Sequence, residues 1–149
     1  MSAVAFRIMT LNNYNTLKGL LSRKVSITFL LLKPTSKVDQ SMVYHGSKNL
    51  KQHILESLEE LCELKRQFND LVDIRLYDAV SAHSIIIIDR DDHDKARIQV
   101  ELHPTGSDSG SRPINVAYEK DNQAFFYQYS KEYDELLNGS EPYECAPLK

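Results

Sequence analysis

The stretch "AHSIIIIDRDD", residues 82–92, decides the fold. An unbroken run of isoleucines is typical of a strand that is covered on both faces, and the acidic residues after it are typical of a solvated turn. Farther along, "RIQVELH" (97–103) alternates apolar and polar residues, as the returning strand of a hairpin does. The pattern therefore predicts a buried strand over 84–89, a charged turn over 89–96 and an antiparallel partner strand.

The segments before this hairpin alternate between strand-like and helix-like patterns. We expect strands over 3–9, 25–33 and 72–77, separated by helices over 12–24 and 47–68. Strands separated by helices imply parallel crossover connections, because a chain that re-enters a sheet in the same direction needs a long return. The first half of the chain therefore predicts a parallel βαβαβ unit.

The segments after the hairpin add a strand near 114–118 and a helix over 122–137. Aromatic residues recur three and four positions apart in that helix, which we interpret as a stripe that faces the core. The whole order predicts an α/β fold, with a mixed, mainly parallel sheet sandwiched between helices. We expect a single domain over 1–137 and a loose C-terminal tail over 138–149.

Length and charge limit the classes of partner. The chain has 149 residues and a net charge of −3, which suits one domain with one core. Because the charge balance is slightly acidic, we expect neither nucleic acid nor an anionic membrane surface as a partner. The aliphatic runs "FLLL" and "IIII" are far shorter than the roughly 20 apolar residues that span a bilayer. We therefore expect no membrane partner.

The two cysteines, Cys62 and Cys145, stand alone in the sequence. Neither has a partner at zinc-ligand spacing, so we expect no metal and no cofactor. Lone cysteines are usual in a reducing compartment, and "MSAVAFRIMTLNN" (1–13) lacks the pattern of a secretory signal. Together these features predict a cytoplasmic protein.

The charged turn also invites a metal interpretation. Its carboxylates are oxygen ligands near alternate positions, as calcium sites require: Asp89, Asp91, Asp92 and Asp94. The glycine and the terminal glutamate of an EF-hand loop are missing. We therefore interpret the turn as a solvated hairpin tip.

Functional side chains are often found where buried strands end beside loops. His83 and Ser84 precede the isoleucine strand and Asp89 follows it, so we expect them near one site. The Gly- and Ser-rich loop over 105–113 can aim backbone N–H groups and hydroxyls at one anion, and Arg112 adds positive charge. The alternative for His83 is a plain residue at the start of a strand, hydrogen-bonded to nearby backbone.

The succession of elements resembles the phospholipase D-like superfamily. Its landmarks follow in order as "LLSRKVSITFLLLKP", the long helix, "VDIRLYDAVSAHSIIIID", "VELHPTGSDSGS" and "NQAFFYQYSKEYDELL". They are especially similar to the degenerate members that serve as sensory or effector modules in bacterial regulators. The resemblance covers residues 3–137 and implies a phospholipase D-like α/β domain.

Active members of that family carry H-x-K-x-x-x-x-D on a buried strand, followed by a Gly-Ser-x-x-Asn segment. By this resemblance His83 takes the place of the histidine, Ile85 stands where the lysine is expected, and Arg90 stands where the aspartate is expected. Asp89 lies one residue closer to the histidine than the family aspartate. The pattern and the loop together give these candidate ligand-binding residues: His83, Ser84, Asp89, Gly106, Ser107, Ser109, Arg112 and Asn115.

The missing lysine bears directly on activity. In the active family one imidazole attacks phosphorus, a second imidazole from a paired motif protonates the leaving oxygen, and lysines neutralise the charge on the phosphoryl oxygens. Losing one such cation from a dry site lowers the rate by roughly 10²–10³. Ile85 cannot replace it, so we expect a non-enzymatic protein.

Three hypotheses for function follow. The first is a non-catalytic phospholipase D-like module that binds a small anionic or phosphorylated ligand, or that associates with itself or a partner domain. The second is a homodimeric phosphodiesterase or nuclease with His83 as nucleophile, in which two copies meet across a two-fold axis. The third is a protein–protein adaptor that uses exposed tyrosines: Tyr14, Tyr44, Tyr118 and Tyr143.

Overall fold

The structure of the protein is a computed structural model that describes residues 2–4, 14–35, 50–79, 83–102 and 112–146. Its strands are β1 (Ser2–Val4), β2 (Ile27–Leu32), β3 (Val72–Tyr77), β4 (His83–Ile88), β5 (Arg97–Leu102), β6 (Ile114–Tyr118) and β7 (Glu141–Pro142). Its helices are α1 (Tyr14–Ser22), α2 (Leu50–Phe68) and α3 (Gln123–Asn138), and a 3₁₀ turn (Asn69–Leu71) follows α2.

The strands form one mixed sheet in the order β6-β5-β4-β1-β2-β3-β7. β1, β2 and β3 pair in parallel, as the helical crossovers predict. Every other pairing among the described strands is antiparallel, so the mixed sheet is confirmed but the expectation of a mainly parallel one is wrong. Short connections return the chain in the opposite direction, as the turn between β4 and β5 does.

Most predicted elements agree with the structure within the part of the chain that is described. β3 spans the predicted 72–77, and the predicted hairpin of β4 and β5 is confirmed, with its register from His83 opposite Leu102 to Ile88 opposite Arg97. α3 begins after Asn122, whose side chain accepts a hydrogen bond from the backbone N–H of Phe125 at 3.2 Å. Such a cap satisfies one of the free N–H groups of the first helical turn.

The core lies on both faces of the central strands. In β2, Phe29 and Leu31 point to one face and Leu30 and Leu32 to the other, and all four are buried. α3 lies across the face that carries His83, and it contacts β3, β4, β5 and β6. α2 contacts α1 and β3.

Among the described residues, the helices do not cover the sheet out to β6, so the expected sandwich is only partly present. On β6, Ile114 and Val116 are 56% and 57% exposed. Both residues point to the same face, because side chains alternate along a strand. This face of β6 is the largest exposed apolar feature on the described strands.

The two cysteines are paired with each other, so the interpretation of lone cysteines is wrong. A disulfide joins Cys62 of α2 to Cys145, with 5.6 Å between their Cα atoms. The pairing spans 83 residues of sequence, and no local spacing pattern reveals such a bridge.

The expectation of a loose tail is also wrong for residues 140–146. β7 pairs with β3, and the backbone N–H of Tyr143 donates to the carbonyl of Ile74 at 2.9 Å. Lys33 forms an ion pair of 2.7 Å with Glu141. The segment therefore closes one edge of the sheet, where the disulfide holds it to α2.

Among the described helices, none combines the length and the apolar character that crossing a bilayer requires.

Candidate functional site

His83 begins β4 and lies under α3. Its Nε2 atom is 2.8 Å from Oε1 of Glu132, and its ring meets the Tyr129 ring edge-on, with 5.1 Å between centroids. The His83 side chain is 15% exposed. The histidine that the sequence singled out is therefore part of the packing contact between β4 and α3, rather than a group held open beside a cleft.

A carboxylate, that of Glu132, lies beside this ring. Phosphoryl transfer needs fixed positive groups around the phosphorus, and Glu132 has the opposite sign. Ile85, where the resemblance to phospholipase D-like proteins leads one to expect a lysine, is buried in the core on the same face. Burial, together with the charge of Glu132, raises the pKa of Tyr77 far above its usual value, so this phenol stays neutral. The surroundings of His83 therefore disfavour an anionic substrate.

The other sequence candidates on β4 do not join His83 in one site. Ser84 points to the opposite face of the sheet, because successive side chains of a strand alternate. Asp89 follows the far end of the strand, and at about 3.3 Å per residue the two ends lie roughly 20 Å apart. The expectation that these residues cluster is wrong, because an extended strand places residues that are close in the sequence far apart in space.

Arg112 lies at the same end of the sheet as His83 but in another environment. Its Nη1 atom is 3.4 Å from Oε1 of Glu101, and both side chains are largely buried. Glu101 is the register partner of Ser84, so this charge pair lies on the face away from His83. Asn115 sits on exposed β6 opposite Val100. The remaining candidates, Gly106, Ser107 and Ser109, lie outside the described residues.

A groove that the sequence did not predict lies between the β4–β5 turn and α3. It encloses about 720 Å³, a volume in the range of small-molecule sites. One wall is Arg90, which donates from both terminal nitrogens to the Asp134 carboxylate at 2.6 and 2.5 Å. This pairing raises the pKa of Arg90 and lowers that of Asp134, so both remain charged. The Arg90 guanidinium also lies 5.9 Å from the centre of the Tyr133 ring.

The helix side of the groove combines apolar and polar groups. Phe126 is buried at its base, whereas Tyr127 is 72% exposed. Ser130 is only 5% exposed, and its hydroxyl has no hydrogen-bond partner. An unpaired buried hydroxyl costs about 1–3 kcal/mol, so its retention beside a groove is consistent with a ligand-binding role. Lys131 and Glu119 complete the set of charges.

The sequence held a weak signal for this groove. Residues 126, 130 and 134 follow one another at four-residue intervals, so they share one flank of α3. The aromatic stripe was interpreted as core, which is confirmed for the buried Phe126 and Tyr133. The role of Arg90 was missed because its partner Asp134 is far away in the sequence.

Three aspartates of the charged turn, Asp89, Asp91 and Asp92, line a second groove of about 530 Å³, which Arg90 also lines. Lys95 donates to Asp92 at 2.6 Å, which lowers the pKa of that carboxyl. In the described ranges there is no group of three or more His, Cys, Asp or Glu residues placed to hold a metal ion. The turn carries its charge at the surface, in agreement with the interpretation as a solvated tip.

Among the described strands, β6 is an edge strand of the sheet, and its Tyr118 carbonyl accepts from the N–H groups of Asp121 and Asn122 at 3.2 and 3.0 Å. Leu102 donates to the carbonyl of Pro113, and Glu119 donates to the carbonyl of Ala96, both at 2.9 Å. Since bonding alternates along an antiparallel ladder, the N–H and C=O groups of Ile114, Val116 and Tyr118 point away from β5. The side chains of the same three residues form the exposed apolar face. A further strand pairing with β6 would therefore bond to these three residues.

The exposed-tyrosine hypothesis receives limited support. Tyr118 is 39% exposed, but Tyr14 and Tyr143 are partly buried against the core, and Tyr44 lies outside the described residues.

Comparison with known proteins finds no family model, no curated protein and no solved structure that matches this chain. The proposals below therefore depend on the geometry of these residues.

Proposed function

We propose that the chain is a non-catalytic, phospholipase D-like binding module whose ligand is a small molecule with an anionic group. The observation that carries this proposal is the position of His83 beneath α3, where its side chain is 15% exposed and lies against Glu132 and Tyr129, which argues against a role as nucleophile. The order of elements in the sequence is the ground for the proposed likeness to that superfamily, and the groove beside Arg90 supports ligand binding.

An enzymatic role for His83 faces two physical obstacles. A nucleophile must lie within reach of the reacting atom, and α3 covers this ring through Tyr129 and Glu132. A homodimeric phosphodiesterase would also need the imidazoles of two copies to approach each other, which requires α3 to move aside in both. Ile85 supplies no cation for the phosphoryl oxygens. A binding role has neither requirement.

The groove has the features that a binding module requires. Asp134 accepts from two of the N–H groups of Arg90, so the remaining N–H groups are available to an acceptor on a ligand. Lys131 is 63% exposed. Its Nζ atom is 3.9 Å from Oε1 of Glu135, which is at the upper distance limit for an ion pair. It is therefore mobile enough to reach a bound anionic group.

Calorimetric titration tests this proposal. The oxidised protein is titrated at low salt with orthophosphate, adenosine monophosphate, aliphatic carboxylates and free amino acids. We expect heat of binding from at least one compound, weakened by Lys131→Gln and unchanged by Lys120→Gln, which alters an exposed lysine outside the groove. Silence across the whole panel would contradict ligand binding.

Self-association is a second candidate function, favoured by the edge of β6. An antiparallel pair centred on Val116 places Val116 opposite its own copy and Ile114 opposite Tyr118 of the second copy. The strand carries no charged residue, so no like charges meet across such a pair. This arrangement would join two sheets edge to edge with a two-fold axis.

The location stays a prediction. The cytoplasmic assignment lost the support of lone cysteines, because Cys62 and Cys145 are joined. Structural disulfides are most common in oxidising compartments. Titration of free thiols in the protein isolated directly under thiol-blocking conditions would decide between reduced and oxidised cysteines in the cell.

A further inference from the structure

The groove between the β4–β5 turn and α3 carries charges of both signs. Arg90 and Lys131 contribute two positive charges, and Glu119 and Asp134 contribute two negative charges, so the formal charges cancel. A simple anion would be attracted by the first pair and repelled by the second. A ligand that carries one positive and one negative charge can place each of them against groove residues of the opposite charge.

Asp134 does not exhaust the donors of Arg90. It takes one hydrogen bond from each terminal nitrogen, and the remaining N–H groups of the guanidinium are left for a second acceptor. Lys131 lies three residues before Asp134 on α3, which brings it to the same end of the groove. This end therefore suits a carboxylate.

Glu119 supplies the complementary charge. One of its carboxylate oxygens lies 3.1 Å from Nδ1 of His93, which fixes the side chain, and the second oxygen is left to accept another bond. Phe126 and the exposed Tyr127 lie between the two charged ends along α3. An aromatic or aliphatic body fits against the Tyr127 ring beside the buried Phe126, because an exposed aromatic ring loses water when it is covered.

The unpaired hydroxyl of Ser130 is an independent sign of a ligand at this place. Its Oγ atom is buried beside the groove and has no protein partner. Buried polar groups are almost always paired in folded proteins, and a polar group of a ligand reaching the base of the groove would pair this one.

Resting on the proposed function as a binding module, we propose that this groove takes a small zwitterion with an apolar body, such as a free amino acid or a dipeptide. The carboxylate lies against Arg90 and Lys131, the ammonium group against Glu119, and the apolar body against Phe126 and Tyr127.

A matched set of ligands tests the assignment on the intact, oxidised chain by ¹⁵N–¹H NMR titration. Phenylalanine and glycylphenylalanine carry both charges, 3-phenylpropionate carries only the carboxylate, and 2-phenylethylamine carries only the ammonium group. We expect at least one zwitterion to shift the amide resonances of Ala124, Tyr127 and Lys131, with a Kd at least about tenfold lower than either singly charged compound.

Two variants assign the two ends of the ligand. Lys131→Gln should weaken the zwitterion and 3-phenylpropionate alike, by about fivefold to tenfold. Glu119→Gln should weaken the zwitterion and 2-phenylethylamine but leave 3-phenylpropionate unchanged. Lys120→Gln, which changes an exposed lysine outside the groove, should alter none of these affinities.

The outcomes separate this inference from the proposed function. If 3-phenylpropionate or orthophosphate shifts the groove resonances as strongly as the zwitterions do, the zwitterion assignment is overturned and the anion-binding module stands. If the zwitterions shift only resonances elsewhere, the groove is not their site and the assignment also fails. If no compound shifts a groove resonance and calorimetry is silent, both proposals fail.

Discussion

Arg90 and Asp134 fasten the end of β4 to α3 through two parallel hydrogen bonds of 2.6 and 2.5 Å. At the start of the same strand, His83 contacts Glu132 of the same helix. The two ends of β4 therefore hold opposite flanks of α3, which lies across the strands. These two contacts hold α3 against the sheet. In this position α3 covers His83 and forms one wall of the groove.

Arg90→Lys should destabilise the protein, because lysine cannot form two parallel hydrogen bonds with one carboxylate. The pair is more than a third exposed, so we expect a modest loss of roughly 0.5–1 kcal/mol in the free energy of unfolding. Urea denaturation at pH 7 measures it. Arg97→Lys, at an exposed position of β5, should change stability by less than the error; an equal loss in both variants would contradict a specific role for the pair.

The contribution of this pair should depend on pH. The hydrogen bonds from Arg90 lower the pKa of Asp134 in the folded protein. A carboxyl with a lowered folded pKa stabilises the protein above its unfolded pKa of about 3.9, and this stabilisation is lost as the pH falls through the folded pKa. The difference in unfolding free energy between wild type and Asp134→Asn should therefore be present at pH 7 and small at pH 2. Asp121→Asn, at an exposed position, is the control. A free-energy difference that grows toward low pH would contradict the expected direction of the pH dependence.

Reduction of the disulfide between Cys62 and Cys145 should lower the melting temperature. A bridge that closes a loop of 83 residues restricts the unfolded chain, and such bridges contribute about 2–4 kcal/mol. Thermal unfolding with and without a phosphine reductant measures the effect, and it should vanish in the double variant Cys62→Ala, Cys145→Ala. Two free thiols in the folded, air-oxidised protein would show that the bridge does not form.

Substitution at the edge of β6 should abolish self-association. Val116→Pro removes an N–H group that points away from β5, so it leaves the hydrogen bonds within the sheet intact while blocking the proposed pairing. Val116→Lys should also abolish self-association, because the lysines of the two copies would repel each other. Leu55→Lys, at an exposed apolar position on α2, is the matched control. Sedimentation velocity over a concentration series measures the effect, and a wild-type monomer at all concentrations would rule out the edge pairing.

Local patterns were sufficient to predict most of the elements. The strand at 72–77, the hairpin after it and the helix with aromatic residues each follow from hydrophobic spacing, because burial of one face imposes a period of two or about 3.6 residues. The direction in which β4 pairs with β1 could not be predicted this way. It depends on which strands become neighbours across long stretches of chain, and no local period records that.

The site was harder to predict than the fold. His83 was singled out by its place before the isoleucines, but its role depends on Glu132, which lies on an element formed much later in the chain. Arg90 lies only seven positions after His83, yet the extended strand puts the two residues at opposite ends of the sheet. Cys62 and Cys145 are 83 residues apart in the sequence and meet where the chain after β7 passes α2. Tertiary partners, not sequence distance, set the chemistry in each case.

The measurement that tests the central claim most directly is the rate at which the pure protein hydrolyses bis(p-nitrophenyl) phosphate. Wild type is compared with His83→Ala, which removes the ring, and with His93→Ala, which removes a more exposed histidine, after circular dichroism has shown that all three are folded. Since Glu132 and Tyr129 of α3 cover the His83 ring, we expect the same background rate from all three proteins. A wild-type rate well above background that falls by about 10² or more in His83→Ala alone would contradict the account and make His83 the nucleophile.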